Sequence, residues 1–106
     1  MPDVAVEVEV DGDGDEILCA KISTGVCEVN VRADRAAFLK LTDITEADWL
    51  SGRSLAVGTS AGSPVFWTCE GATVDLLIGV DDETWDIAVR VPLDLVEELV
   101  DQVAKA

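Results

Sequence analysis

The sequence predicts a single α+β domain over residues 1–106, built on a mostly antiparallel sheet of about seven strands in two meanders. Short segments alternate apolar and polar residues with period two, as strands with one buried face do. Only a few residues link most of these segments, and such links require antiparallel pairing, because a parallel return needs a long crossover. A short helical insertion separates the meanders, and a C-terminal amphipathic helix follows the second one.

The first meander is predicted to contain strands at 4–10, 16–23 and 26–32. The clearest period-two pattern in the chain is the alternation of valine with alanine and glutamate over 4–10. We expect each of these strands to point its apolar row inward, with turns at 11–15 and 24–25 joining them.

The segment between the meanders carries helical signals. Asp34 is placed to cap a short helix over 35–41. Residues 45–48 have the Thr-x-x-Asp form of a capping box, and Trp49 and a terminating Gly52 follow. Because this segment is too apolar for a free loop, we expect it to dock on the sheet.

The second meander is predicted to contain strands at 54–60, 65–70, 73–80 and 85–91. The near-continuous apolar run at 73–80 is typical of a central strand covered on both faces. The last strand alternates as a strand with one solvated face does. The pattern leaves open whether the meanders join as one sheet or face each other as two.

The C-terminal helix is predicted over 92–104. Pro92 suits a first helical position, where its missing N–H is not needed. Apolar residues recur with helical spacing from Leu95 to Val103, and acidic residues take the opposite side. We therefore expect the apolar stripe to pack on one face of the sheet.

The most unusual property of the chain is its charge. Twenty-two acidic residues against seven basic ones give a formal net charge of -15 and a sequence pI near 4.1. Such a chain repels nucleic-acid phosphates and anionic membrane surfaces, so we expect neither as a partner. A basic protein surface is the partner that this charge attracts, and plain solubility is the alternative explanation.

Residue types that usually carry catalysis are missing. The chain has no histidine and no tyrosine, which removes the commonest general bases and zinc ligands. Carboxylates or lysines remain, but no spacing among them indicates an active site. We expect no enzymatic activity, no cofactor and no resident metal.

The cysteines and the first residues of the sequence lead us to expect a cytoplasmic protein. Cys19, Cys27 and Cys69 are odd in number, form no CxxC pair and fall within predicted strands, so we expect buried, reduced thiols. A Cys19–Cys27 bridge across the first meander is the alternative. No apolar run approaches the ~20 residues of a membrane span, and no secretory signal is recognisable.

The acidic turn at 11–16 has the spacing of the first three ligands of an EF-hand calcium loop. The match then ends, because Glu16 stands where the loop needs glycine and Ile22 stands where it needs a bidentate glutamate. The flanking segments are also strands rather than helices. We favour an acidic hairpin turn and leave cation binding open.

The densest surface candidate precedes the last strand and consists of Asp81, Asp82, Glu83, Trp85 and Asp86. An exposed Trp85 ringed by carboxylates has the composition of a protein-binding hot spot for a basic partner. The alternation that Trp85 begins instead favours a core position for its ring. In both cases we expect exposed carboxylates.

These features together predict a small, non-catalytic acidic binding protein. An immunity protein or antitoxin-like inhibitor fits, because a toxin that acts on nucleic acid has a basic cleft that a compact acidic protein can occupy. The alternative is a self-associating accessory domain, whose strand edges form a homodimer and whose charge serves solubility alone.

Overall fold

The computed structural model describes residues 2–10, 12–47, 53–81 and 83–106. Within these ranges the strands form one antiparallel sheet in chain order. The strands are β1 (Asp3–Val10), β2 (Glu16–Ser23), β3 (Glu28–Ala33), β4 (Leu55–Ser60), β5 (Ser63–Glu70), β6 (Thr73–Gly79) and β7 (Trp85–Pro92). The predicted α+β class is confirmed, and the two meanders join as one sheet.

The insertion between β3 and β4 is helical. It comprises α1 (Arg35–Leu39) and a 3-10 helix (Lys40–Glu46). The carboxylate of Asp34 accepts a hydrogen bond from the N–H of Ala37 at 2.7 Å, so Asp34 caps α1 as predicted. The last residue of the capping box, Trp49 and Gly52 lie outside the described residues.

The C-terminal helix, α2 (Leu93–Lys105), packs on the inner face of the sheet. It contacts both β1 and β7, the two ends of the strand order, so the sheet curves around it. Its residues Val96, Leu99 and Val103 are fully buried, which confirms the predicted packing. Pro92 precedes the helix as its N-cap, because it is still paired with Thr73 in the sheet.

The two meanders meet where β3 pairs with β4. A register shift in β4 places Gly58 at φ 77°, and a Cβ there would lie 2.7 Å from the carbonyl oxygen of Arg32. Only glycine fits both the conformation and the space. Close by, the indole N–H of buried Trp67 donates to the carbonyl of Val57 at 3.0 Å. The pairing of Arg32 with Thr59 at this junction joins the second meander to the first in one sheet.

The three cysteines form no disulfide, and they differ in burial. Cys19 and Cys69 are buried, whereas Cys27 is exposed and lies just before β3, so the expectation of a buried thiol is wrong there. The alternative Cys19–Cys27 bridge is also wrong. Cys19 pairs with Arg32, five residues beyond Cys27, and this offset amounts to about 17 Å along the strand. Burial raises the pKa of the Cys19 thiol.

Candidate protein-binding site

The register of β6 and β7 shifts near their hairpin. Ile78 pairs with Ile87, but Gly79 pairs with Trp85, which leaves Asp86 as an extra residue on β7. A Cβ on Gly79 would lie 2.4 Å from the Cα of Trp85 and 2.6 Å from the carbonyl oxygen of Thr84. The shift therefore requires glycine at position 79. It also interrupts the alternation on which the prediction for Trp85 depended.

Trp85 consequently lies on the outer face of the sheet rather than in the core. It lines a surface cleft of about 580 Å³ together with Leu77, Ala88 and Arg90, whose positions in the register all face away from α2. The residue is 36% exposed, so the core position favoured by its alternation is wrong. The bulge at Asp86 is the physical reason, because one extra residue reverses the side to which a strand residue points.

The turn before β7 is held by one of the predicted site residues. The Asp81 carboxylate accepts hydrogen bonds from the N–H groups of Glu83, at 2.9 Å, and Thr84, at 2.6 Å. Asp81 thus shapes the turn as well as adding charge, a role that an aspartate two and three residues before those amides commonly has. Asp82 lies outside the described residues.

The carboxylates around Trp85 are exposed as predicted, at Asp81, Glu83 and Asp86. Sequence reasoning did not identify the residues that extend this surface along β7. Ile87 continues the inner row yet is 53% exposed, and Ala88 beside it is exposed as well. A run of exposed residues on both faces of a strand cannot be recognised from alternation, because it depends on where the helices stop covering the sheet.

The basic residue of the cleft is already paired. Arg90 donates to both carboxylate oxygens of Asp75, at 2.9 Å and 3.3 Å. This hydrogen bonding, together with the charges of Asp75 and Glu70, raises the pKa of the guanidinium. The local positive charge is therefore neutralised, and Glu70 adds a negative charge to the cleft.

The acidic segment 11–16, which ends at the first residue of β2, is the second candidate site. Its residue Glu16 accepts a hydrogen bond from Arg35 at 3.1 Å, which directs this carboxylate toward α1. Asp11 lies outside the described residues, so cation binding at this turn stays a hypothesis. In the described ranges no three cysteine or acidic side chains gather as a metal site would require.

Glu83, Trp85 and Asp86 thus lie close in sequence at one end of the β6–β7 hairpin, and all three are exposed. We call these three residues with Asp81 the hairpin patch. Among the described residues, no helix combines the length and the apolar character of a bilayer span. Comparison of the chain with protein-family models, curated proteins and solved structures gave no match. The functional argument therefore rests on the chemistry of the patch.

Proposed function

We propose that this chain is a non-catalytic acidic binding protein whose hairpin patch holds a basic protein partner. The observation that carries the proposal is the partly exposed Trp85 with the exposed carboxylates of Glu83 and Asp86 beside it in the chain. An aromatic side chain supplies a large contact area when a partner covers it, and the surrounding carboxylates select a partner with lysine or arginine.

The charge of the whole chain supports a basic partner. Each of five cations lies within 3.4 Å of a carboxylate oxygen, in ion pairs at Lys21, Arg32, Arg35, Arg90 and Lys105. No arrangement of seven basic residues can neutralise twenty-two acidic ones, so the formal excess of 15 negative charges faces solvent or a partner. Such a field accelerates association with a positively charged protein.

The kind of partner follows from the same charge. A toxin or another protein that acts on nucleic acid presents a basic surface to phosphates, and an acidic protein can block that surface by mimicking phosphate charge. We infer an inhibitory role of the immunity-protein or antitoxin type. Cysteines that form no disulfide, one of them exposed, suit the reducing cytoplasm as the place where this partner is bound.

The test is affinity capture from cell extract on the immobilised protein, at low and high salt. We expect a basic protein to be retained and then released as salt screens the charges. The hairpin variant Glu83→Gln/Asp86→Asn, which removes two negative charges, should no longer retain this basic protein. The matched control is Asp43→Asn/Glu46→Gln, which removes the same charge from exposed positions of the 3-10 helix.

The captured protein is then purified and titrated against each variant by calorimetry. If the hairpin variant binds more weakly and the control variant does not, the result supports the hairpin patch as the binding site. Retention that is insensitive to salt, or equal binding by both variants, contradicts the proposal. A homodimer with no basic partner would instead favour the self-associating accessory domain.

A further inference from the structure

We propose that the free edge of β7 binds an extended basic segment of the partner as an additional β-strand. This inference rests on the proposed function and specifies how the partner is held. β7 ends the strand order and pairs only with β6 in the described sheet, so one side of its backbone points away from the sheet. From Trp85 to Ala88 every residue is exposed, which leaves this stretch accessible from both faces.

The opposite edge of the sheet is protected by side chains. Along β1, the carboxylate of Asp3 accepts from the N–H of Val4 at 2.9 Å. The Gln102 side chain of α2 donates to the carbonyl of Val4 at 3.0 Å and accepts from the N–H of Val6 at 2.9 Å. These groups take the place of a neighbouring strand over this part of β1. An added strand is therefore blocked along β1 between Asp3 and Val6, and we assign it to β7, where the exposed stretch carries the hairpin patch.

The side chains of β7 indicate what such a strand contains. Ile87 and Trp85 point to opposite faces because of the bulge, so each face of the edge offers an apolar contact to alternate residues of an added strand. Glu83 and Asp86 are exposed beside them. An incoming segment that alternates basic and apolar residues would set its apolar row against Trp85 on one face and its basic row beside Asp86 on the other.

Charge also discriminates between the two kinds of strand that could bind here. A second copy of this chain would bring another formal charge of -15 to the same edge. A basic segment would bring opposite charge, and opposite charges across an interface favour association. The occupant that we assign is therefore a basic segment of another protein.

The probe is a short fluorescent peptide in which lysine and valine alternate, with binding measured by anisotropy. A second peptide has the same sequence but is N-methylated at alternate residues, which preserves its charge and removes the N–H groups of one edge. We expect the N-methylated peptide to bind at least about tenfold more weakly, because the main-chain hydrogen bonds of strand addition are lost.

Two variants locate the site. Ile87→Lys places a positive charge on the β7 edge. We expect this variant to bind the unmodified peptide at least about tenfold more weakly than the unchanged protein does. Val10→Lys is the matched control on β1, since Val10 is an apolar residue of the other edge strand and is 70% exposed. It makes the same change in net charge. Circular dichroism confirms that both variants are folded.

The outcomes separate strand addition from the proposed function. Equal binding of both peptides, or equal effects of the two variants, would overturn strand addition and leave electrostatic binding of a basic partner intact. Failure of the unmodified peptide to bind, while a captured basic partner still binds the protein, would also overturn strand addition alone. If neither the peptide nor any basic partner binds the protein, the proposed function is overturned as well. Sedimentation showing a dimer that Ile87→Lys disrupts would assign the edge to a second copy and overturn the proposal.

Discussion

Gly79→Ala tests the feature that places Trp85 on the protein surface. The Cβ added at this position would lie 2.4 Å from the Cα of Trp85 and 2.6 Å from the carbonyl oxygen of Thr84. Both neighbours are main-chain atoms, so no side-chain rotation can relieve the contact. The β6–β7 hairpin must open or change its register.

The size of the effect follows from the overlap. Carbon atoms in good contact are separated by roughly 3.5–4.0 Å, so the substitution demands a displacement of more than about 1 Å. Inserting a methyl group into a closely packed site costs about 1–3 kcal/mol. We expect the free energy of unfolding to fall by that amount, and the melting temperature to fall by about 4 °C or more for each kcal/mol.

Urea unfolding followed by circular dichroism measures the loss, and Gly25→Ala is the matched control. Gly25 has open space where a Cβ would be added and is not among the positive-φ glycines, so its substitution should be close to neutral. The reasoning also predicts weaker partner binding by Gly79→Ala, because Trp85 moves with the hairpin. Equal stability of the two alanine variants would refute the close approach and the register shift that depends on it.

Three further predictions concern the rest of the domain. Leu99→Ala should destabilise the fold by about 2–5 kcal/mol, measured by urea unfolding, because Leu99 is fully buried between α2 and the sheet; a neutral result would mean that α2 is not packed as described. In the folded protein a thiol reagent should modify Cys27 rapidly and Cys19 and Cys69 only after unfolding, as mass spectrometry of the labelled peptides would show. Moderate salt should raise the melting temperature by screening repulsion among the acidic residues, and a flat or falling trend in calorimetry would mean that local ion pairs already compensate that repulsion.

Local patterns account for most of the elements. The valine alternation of β1, the apolar run of β6 and the stripe of α2 each report a periodicity that follows directly from backbone geometry, and each element is present where the pattern predicts it. The Asp34 cap is equally local, since it needs only a carboxylate within three residues of the N–H that it binds.

The binding surface is only partly predictable. Sequence alone identifies the acidic residues of the hairpin patch and their exposure, because charged side chains in a turn stay in water. It places Trp85 in the wrong environment, since alternation assumes an unbroken register and one extra residue at Asp86 reverses the pattern.

Net charge, the type of each element and the antiparallel sense of the sheet were determined by the sequence itself, since composition and short-range geometry suffice for them. Tertiary structure alone decided the union of the meanders into one curved sheet, the protection of β1 by Gln102 and the exposure of β7. These features depend on contacts between residues far apart in the chain. Gln102 lies 96 residues from Val6, and no local pattern records that separation.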